Sequence, residues 1–488
     1  MLFTTIDFII FFTVVLISII VIKNRKFQHL FLLFSSYFFF YYTSNYLIIL
    51  IIFTTFWDFY FGLAIWKSAT HKRKKMLLVC SLIGNLGLLG FYKYADFTIT
   101  QINFFGNFLN FGNIPLLDFA LPIGISFYTF HSITYTVGIY RGIITPVRLR
   151  EYALFVAFFP QLVAGPILRA NQFLPQLREK IVNFSTNSAI RQIIIENQNL
   201  KLGITIMAMG FFKKMVIAEN ITILSDHIFN QPLGAESFTI IIGALAFGIQ
   251  IYCDFSGYSD IAIGAALVLG FKFPENFNRP YLAISPSDFW RRWHISLSTW
   301  LRDYLYIPLG GNKRSNLRTY ANLFVVMFLG GLWHGASWNF VIWGILHGMY
   351  LAIHRFLSNQ FPFFANHNFF KSRIGILFSV LVTQYFVFLA WITFRVHDTK
   401  DMIYSISKYV VLDFQTVNTM NIILQHKIPI LIMVLFVLFH IIILRKINLI
   451  EKISNIKLRW WFVFLISIMT IILLLYDGEP RDFIYFKF

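Results

Sequence analysis

The sequence predicts an all-α integral membrane protein with many transmembrane helices, and three features lead to this prediction. Hydrophobic residues make up 57% of the 488 residues and charged residues only 13%, with a mean hydropathy of +0.67. A soluble protein needs more charge than this to cover its surface, so much of the surface is expected to face lipid. Apolar runs of spanning length recur along the chain, and short basic segments separate them.

The apolar runs give the expected number of spans, because about 20 apolar residues cross a bilayer as an α-helix. The longer runs are residues 8–22, 46–66, 76–91, 238–270, 374–394, 428–444 and 460–476. The shorter runs are residues 27–42, 121–140, 154–163, 204–217, 321–332 and 337–354. Together they predict about 11 transmembrane helices plus one or two re-entrant or interfacial helices. The run 238–270 is too long for one simple span, so a tilted, a broken and a partly non-spanning helix remain open.

The net charge of +19 is explained by membrane topology rather than by nucleic-acid binding. The cations lie in short segments between apolar runs, at residues 23–26, 72–75, 141–150, 213–214, 313–318, 371–373 and 445–446. Loops rich in Lys and Arg stay on the cytoplasmic side of a membrane, which places the N-terminus outside and predicts a multi-pass protein of the cytoplasmic membrane. The lipid bilayer supplies the expected counter-charge through its anionic lipids, and no nucleic acid is expected as a partner.

No linker, acidic tail or internal repeat divides the chain, so residues 1–488 are expected to form a single membrane domain. Three zones differ in composition within it. Residues 1–140 and 356–488 are almost featureless helices of Ile, Leu and Phe, whereas residues 141–355 concentrate His, Trp, Arg, Pro and Gly. We therefore expect the chemistry in the middle zone. The first apolar run lacks the features of a cleavable signal peptide and is interpreted as the first span.

The densest polar segment is residues 287–311, whose first part predicts one amphipathic helix over residues 287–304. At 100° per residue, a narrow stripe of this helix collects four polar residues: Arg291, His294, Ser298 and Arg302. The opposite half is aromatic and aliphatic, with Trp290, Trp293, Leu297, Trp300 and Tyr304. Asp288 lies one turn before the two arginines at 291 and 292, so it is expected to cap the helix or to form an ion pair.

Two interpretations of this segment are compatible. In the first, it is an interfacial helix whose tryptophans anchor in the lipid headgroups and whose arginines bind phosphates. In the second, the polar stripe lines the path of an anionic, cofactor-like substrate, with Arg291, Ser298 and Arg302 as binding residues. The second is favoured, because lipid anchoring alone does not require His294 and Ser298 between the arginines.

His334 is the strongest candidate for catalysis. It stands between the apolar runs 320–332 and 340–351, which places an ionisable group at or near membrane depth, where such groups usually face a cavity or a partner. The glycines around it, Gly330, Gly331 and Gly335, allow close approach of another helix or a substrate. A neutral imidazole there can accept a proton from a hydroxyl. The alternative is a histidine that only bonds a neighbouring helix, which is the interpretation given to His131, His347 and His354.

Two acidic residues and two cysteines lie in apolar surroundings. Asp254 and Asp260 resemble a proton relay or ion site, but six residues separate them, so they do not share a helix face, and hydrogen bonding to neighbouring helices is favoured. Cys80 and Cys253 predict neither a disulfide framework nor a metal site. Serine hydrolase, phosphate-binding-loop and dinucleotide-binding motifs are absent from the sequence.

Five segments of the chain together closely resemble the membrane-bound O-acyltransferase family, and within it the bacterial alginate O-acetyltransferase branch. They are residues 159–167, 254–260, 277–281, 290–311 and 331–336, in the order typical of the family, within about residues 120–395. The resemblance implies a helical fold around a central tunnel. It also implies that His334, in its Trp-His-Gly context, is the catalytic histidine and that His294 is the second histidine of the bacterial branch. We expect His294 to take part in catalysis, either by positioning the acyl donor or by assisting proton transfer.

The resemblance further implies the reaction. Such proteins take an acyl group, usually acetyl from acetyl-CoA, on the cytoplasmic side and bind no permanent cofactor. They pass it to a hydroxyl on an extracytoplasmic polysaccharide or to a partner acetyltransferase protein outside the membrane. Peptidoglycan O-acetylation and D-alanyl transfer to teichoic acid remain open, since relatives with these activities share the same segments. Rivals of other classes are a transporter for a lipid-linked glycan and a structural scaffold.

Overall fold

The structure is a computed structural model that describes residues 1–109, 112–162, 165–181, 193, 195–361, 367–442, 449–476, 478, 481 and 483–484. The described residues form helices and contain no β-strand, and several of the helices are long and apolar, so the predicted all-α multi-pass membrane protein is confirmed. Two compact units are present, residues 1–207 with 258–274 and residues 208–257 with 275–488. The single membrane domain expected from the sequence stays a prediction.

The described part of the first 181 residues contains eight α-helices and one short 3-10 helix, Asn45–Leu47. The α-helices are α1 (Ile6–Val21), α2 (Arg25–Ser44), α3 (Ile48–Lys67), α4 (His71–Phe108), α5 (Ile125–Tyr140), α6 (Leu149–Ala157), α7 (Phe159–Leu162) and α8 (Ala170–Ile181). Polar pairing joins the long apolar helices α3 and α4. The buried carboxylate of Asp58 accepts hydrogen bonds from Ser81 Oγ at 2.6 Å and from Asn85 Nδ2 at 2.8 Å. A buried carboxylate requires such partners, so these bonds fix how α3 and α4 pack.

The middle of the chain alternates long and very short helices. They are α9 (Asn197–Phe211), a π-helical segment (Phe212–Ala218), α10 (Glu219–Phe229), α11 (Ser237–Val268), α12 (Pro286–Arg292), α13 (Ile295–Leu301), a second π-helical segment (Arg302–Tyr306), α14 (Asn316–His334) and α15 (Trp338–Gln360). The apolar run 238–270 therefore forms one unbroken helix, α11. Of the three alternatives left open for it, the broken helix is wrong.

The remaining helices are α16 (Asn368–Lys371), α17 (Arg373–Arg395), α18 (Thr399–Val410), α19 (Val417–Gln425), α20 (Lys427–Ile442), α21 (Leu449–Ser454) and α22 (Leu458–Leu475). Several of these helices begin at a residue whose side chain accepts a hydrogen bond from a backbone N–H of the first turn. Asp398 caps α18 by accepting from Lys400 and Asp401 at 2.8 and 3.0 Å, and Ser372 caps α17. These caps satisfy backbone donors that a helix leaves open at its start.

The predicted count of about 11 spans is not confirmed. Among the described residues, six helical stretches are long and apolar enough to cross a membrane: Lys26–Lys67, His71–Phe108, Ser237–Val268, Trp338–Gln360, Arg373–Arg395 and Leu458–Leu475. A seventh is possible if α19 and α20, which are bent by 90°, form one broken span. Part of the difference arises because runs 27–42 and 46–66 lie in the one stretch Lys26–Lys67, and because the helix over the first run, Ile6–Val21, is shorter than the six. Other predicted runs are interrupted. Run 154–163 is divided between α6 and α7, and run 204–217 passes into a π-helical segment.

Some predicted features fall partly or wholly outside the described residues, among them the end of run 428–444 at residues 443–444. Val163, the end of one predicted run, lies there, as do Arg445 and Lys446 of the last basic segment.

Candidate functional site

The helix predicted over residues 287–304 is broken at His294. Helix α12 ends at Arg292 and α13 begins at Ile295, and His294 between them has φ +40° and ψ +56°, in the left-handed region. The predicted continuous helix is therefore wrong, and so is the single polar stripe that joined Arg291 and His294 to Ser298 and Arg302. A non-glycine residue in this region costs about 1–2 kcal/mol, so other contacts must stabilise the break.

Residues 276–278 supply those contacts on both sides of the break. The N–H of Asn278 donates to the carbonyl oxygen of Arg292 at 2.8 Å, and the N–H of Ile295 donates to the carbonyl oxygen of Asn276 at 2.9 Å. The side-chain oxygen of Asn276 also accepts from the N–H and the Oγ of Ser296, at 3.2 and 2.9 Å. The break is thus a tertiary feature, since a segment from elsewhere in the chain satisfies the backbone groups that the interrupted helix leaves open.

His294 is completely buried. Its Nδ1 lies 3.1 Å from the side-chain oxygen of Asn276, and its ring meets those of Phe255 and Trp333 at centroid distances of 4.6 and 6.0 Å. Burial lowers the pKa of this imidazole, which lies outside the candidate spans, to about 3, because the charged form loses its hydration. His294 is therefore neutral at physiological pH. Among the described residues, its Nε2 has no hydrogen-bond partner.

The other residues of the predicted stripe lie on different parts of the broken segment. Arg291 is exposed at the end of α12, and the hydroxyl of Ser298 donates to the carbonyl oxygen of Trp293 at 3.1 Å. The exposed guanidinium of Arg302 is bound to Asp303 at 2.7 Å. The expected ion pair of Asp288 is confirmed, with Arg292 at 3.0 Å, whereas the helix cap is Ser285.

His334 is the last residue of α14 and is 4% exposed. Three aromatic rings surround its imidazole, those of Trp343 at 4.9 Å, Trp333 at 5.1 Å and Phe394 at 5.3 Å, all nearly perpendicular to it. Aromatic edges and faces of this kind exclude water and leave the imidazole in an apolar environment. The structure thus places His334 at the junction of α14 and α15, in a buried aromatic cluster.

The glycines near His334 allow α14 and α15 to pack closely. A Cβ at Gly331 would clash with the carbonyl oxygen of Phe340, and one at Gly335 would clash with the ring of the same residue. On α15, a Cβ at Gly344 would lie 2.5 Å from the carbonyl oxygen of Met327. The predicted close approach of another helix is confirmed at Gly331 and Gly335, whereas a Cβ at Gly330 would meet only the side chain of Leu301, at 3.4 Å. The close approach matters for the site because it sets the position of His334 between the two helices.

Trp333 brings the two predicted catalytic histidines into one cluster. Its indole ring lies 6.0 Å from the ring of His294 and 5.1 Å from that of His334. His347 belongs to an adjoining aromatic group, with Trp343 at 4.6 Å and Trp290 at 5.2 Å. The sequence placed His294 and His334 on separate segments 40 residues apart, and the fold places both against one indole.

Asp254 forms a buried ion pair in addition to the hydrogen bonding favoured from the sequence. Its Oδ1 lies 2.9 Å from the Nζ of Lys214, which lies 3.5 Å from the Oε1 of Glu219, and all three side chains are about 95% buried or more. Its Oδ2 accepts from the N–H of Ile484 at 2.9 Å. The sequence predicts Lys214 in a short loop on the cytoplasmic side. The loop is wrong, whereas the side of the membrane stays a prediction. Lys214 lies within the π-helical segment Phe212–Ala218, whose wider turn is frequent at functional sites.

A sequence signal for this cluster existed. Lys214 stands in an apolar stretch that contains no Pro, and Glu219 follows five residues later. Within the described residues, no group of three or more His, Cys, Asp or Glu side chains is arranged to hold a metal ion.

The chain is similar in sequence to several known proteins. The sequence model of the membrane-bound O-acyltransferase family matches residues 125–394. The chain is 42% identical over 354 residues to the probable alginate O-acetylase AlgI of Pseudomonas aeruginosa, covering 71% of this chain and 62% of that protein. It is 38% identical over 363 residues to the peptidoglycan O-acetyltransferase of Helicobacter pylori, covering 69% and 65%. It is 29% identical over 248 residues to the teichoic acid D-alanyltransferase of Bacillus subtilis, covering 48% and 59%. The chain thus spans less than two thirds of the length of each of these relatives.

Proposed function

The chain belongs to the membrane-bound O-acyltransferase family, and on that premise we propose that it is an O-acetyltransferase of the cytoplasmic membrane. It takes acetyl from acetyl-CoA and transfers it to a hydroxyl of an extracytoplasmic polysaccharide or to a partner acetyl carrier. The observation that carries the proposal is the contact of Trp333 with both His294 and His334 in a buried aromatic cluster. The relatives named O-acetylase and O-acetyltransferase support acetyl as the transferred group.

In the proposed mechanism, His334 acts as the general base. Its neutral imidazole accepts the proton of the acceptor hydroxyl, whose oxygen attacks the thioester carbonyl. The carbon–sulfur bond then breaks, and the imidazolium returns the proton to the leaving thiolate. Protons and electrons balance without a metal or a redox cofactor. The apolar surroundings of His334 favour the reaction, because they exclude water that would otherwise compete with the hydroxyl.

His294 is proposed to bind the acceptor hydroxyl. Its neutral, completely buried ring can accept a hydrogen bond, and its place beside Trp333 brings that hydroxyl towards His334. Holding the hydroxyl in a reactive orientation accelerates a two-substrate reaction, because the entropy of bringing the reactants together is lost on binding and not in the chemical step.

The donor path is proposed to pass Arg291, Ser298 and Arg302. Arg291 is exposed at the end of α12 and suits the phosphates of the acyl donor. Arg302 is held by Asp303, so a phosphate has to compete with that carboxylate. The hydroxyl of Ser298 already donates to the carbonyl oxygen of Trp293, so towards the acyl donor it can only accept a hydrogen bond or make a non-polar contact. Arg291 is thus the main donor-binding residue in this proposal.

A second candidate is O-acetylation of peptidoglycan. It is favoured by the 38% identity to a peptidoglycan O-acetyltransferase, which covers nearly as much of this chain as the match to the alginate relative. D-alanyl transfer has weaker support, because the matching relative is 29% identical over 48% of the chain. The chemistry at His334 is the same in all three cases, and the acceptor differs.

The test uses cells of the native host from which this chain has been deleted, complemented with the wild type, His334→Gln or His354→Gln. His354 is a matched control on α15, half-exposed and away from the Trp333 cluster. After growth on labelled acetate, mass spectrometry measures ester-linked acetyl on the envelope polysaccharide and on peptidoglycan. We expect the wild type and His354→Gln to restore acetylation of one polymer, and His334→Gln to reduce it at least ~100-fold. If the protein is a transporter or a scaffold, acetylation of the polymer does not depend on His334. Full acetylation in cells with His334→Gln would therefore refute the proposal.

A further inference from the structure

The side-chain oxygen of Asn276 is within hydrogen-bond distance of three groups. They are Nδ1 of His294 at 3.1 Å, the backbone N–H of Ser296 at 3.2 Å and the hydroxyl of Ser296 at 2.9 Å. Asn276 is 1% exposed, so water does not replace these bonds. This arrangement decides which nitrogen of His294 carries the proton.

The assignment follows from what each group can donate. A backbone N–H only donates, so the atom of Asn276 that faces Ser296 is the amide oxygen and not the amide nitrogen. An amide oxygen only accepts, so Nδ1 of His294 has to carry a hydrogen to bond it. A neutral imidazole carries one ring hydrogen, and burial keeps His294 neutral, as its lowered pKa indicates. The other nitrogen, Nε2, therefore has an unprotonated lone pair.

The surroundings of Nε2 point to a ligand. Three aromatic rings contact His294, those of Phe255 at 4.6 Å, Trp333 at 6.0 Å and Phe277 at 6.4 Å. Within the described part of the chain, Nε2 has no donor, although it is completely buried. A buried acceptor without a donor is unfavourable, so such an atom is commonly satisfied by a ligand when one binds. A hydroxyl is a donor that can satisfy such a nitrogen.

We propose that Asn276 is a positioning residue that holds His294 as the Nδ1–H tautomer, so that Nε2 accepts a hydrogen bond from the hydroxyl of the acyl acceptor. Asn276 acts twice in this way. Its side chain fixes the tautomer, and its backbone carbonyl binds Ile295, which maintains the left-handed turn that aims the ring. The identity of the hydroxyl as the acyl acceptor rests on the proposed function, whereas the tautomer does not.

The tautomer is measured directly on the purified full chain. Nitrogen-15 NMR of histidine-labelled protein, compared with the same spectrum of His294→Gln, gives the ring signals of His294. We expect a protonated Nδ1 and an unprotonated Nε2 in the wild type, and a gain of the Nε2–H tautomer in Asn276→Ala. A wild-type spectrum with hydrogen on Nε2 overturns the inference whatever the activity of the protein is.

Activity gives the second test, with a matched control in the same segment. Asn278 lies two residues away, its side chain is exposed, and only its backbone N–H bonds Arg292, so Asn278→Ala is expected to keep wild-type activity. Asn276→Ala is expected to lower kcat about tenfold or more with little change in KM for the acyl donor. Asn276→Asp keeps an acceptor for Nδ1–H, and we expect it to recover most of the lost kcat at neutral to alkaline pH.

The outcomes separate this inference from the proposed function. Equal activity of Asn276→Ala and Asn278→Ala overturns the role of Asn276. If the wild type transfers no acyl group, the proposed function fails and the NMR result alone decides the tautomer. If Asn276→Ala does not fold, the wild-type spectrum and the Asn276→Asp variant still test the inference. An Asn276→Asp variant that is no more active than His294→Gln contradicts it.

Discussion

The ammonium of Lys214 lies 2.9 Å from the carboxylate of Asp254, with both side chains about 95% buried or more. A second carboxylate, that of Glu219, lies 3.5 Å from the same ammonium. The cation, on a π-helical segment, thus lies close to two buried acids, one on α10 and one on α11. Breaking a buried ion pair by removing one partner leaves an uncompensated charge, which costs far more than the loss of a surface pair.

Lys214→Met is therefore expected to destabilise the protein by about 3–5 kcal/mol. Thermal unfolding of the purified protein in detergent, followed by intrinsic fluorescence, measures the effect. Lys213→Met is the matched control, since Lys213 is adjacent, on the same π-helical segment, and only half-buried. Equal melting temperatures of the two variants would show that the ion pair does not stabilise the fold.

Glu219 is expected to make the stability depend on pH. Burial raises the pKa of its carboxyl from 4.5 to about 7, partly opposed by the ammonium of Lys214. Below pH 4.5 the group is protonated in both states, and as pH rises to about 7 the unfolded chain ionises first, so stability is lost over this window. Glu219→Gln removes this contribution, and we expect its unfolding midpoint to fall less than that of the wild type between pH 5 and 8. An unchanged pH dependence would contradict the raised pKa.

Gly331→Ala is expected to separate α14 from α15, because the added Cβ would clash with the carbonyl oxygen of Phe340. Overpacking of this kind costs about 1–3 kcal/mol. A displacement of His334 by about 1 Å is expected to lower acyl transfer by about 100-fold. The control is Gly90→Ala on α4, where a Cβ meets nothing within 4 Å, so that alanine stabilises the helix or leaves it unchanged. Acetyl transfer and melting temperature are measured on both, and wild-type activity of Gly331→Ala would show that close packing is not needed.

Trp333→Ala is expected to lower kcat strongly, since the indole contacts both histidines and its removal leaves a cavity that costs about 3–5 kcal/mol. Trp333→Phe keeps an aromatic ring and is expected to retain most of the activity. Trp460→Ala serves as the control for loss of an indole, because Trp460 is 56% exposed on α22. Initial rates are compared per folded protein, as judged by size-exclusion chromatography. Similar rates for Trp333→Ala and Trp460→Ala would show that Trp333 does not contribute to the site.

Arg291→Ala is expected to raise KM for the acyl donor about tenfold with kcat nearly unchanged, the pattern of a residue that binds donor and transition state equally. Arg291→Lys keeps the charge and is expected to lie between that variant and the wild type. Arg373→Ala, which removes another exposed arginine at the start of α17, controls for the loss of surface charge. A fall in kcat at unchanged KM would place Arg291 in the chemical step instead.

The sequence predicted the features that depend on composition or on residues a few positions apart. The shortage of charge and the apolar runs predicted a helical membrane protein. Gly331 and Gly335 predicted the close approach of α15 to His334, since glycines allow another helix to approach closely. The ion pair of Asp288 with Arg292 followed from their spacing of four residues.

The break at His294 could not be predicted in this way. Residues 287–304 contain no glycine or proline and have the periodicity of one helix. The contacts that interrupt it come from Asn276 and Asn278, and their hydrogen bonds exist only after the chain has folded back. The burial of Lys214 is of the same kind, because its partner Asp254 lies 40 residues away in sequence.

The same interruption has a consequence for how the protein matures. Residues 287–304 contain nothing that interrupts a helix by itself, so we expect α12 and α13 to be one continuous helix in a newly made chain until residues 276–278 dock. In such a chain we expect the imidazole of His294 to have no fixed direction and to populate both tautomers. On the proposed function, freshly synthesised protein is therefore expected to contain inactive molecules that become active when residues 276–278 dock.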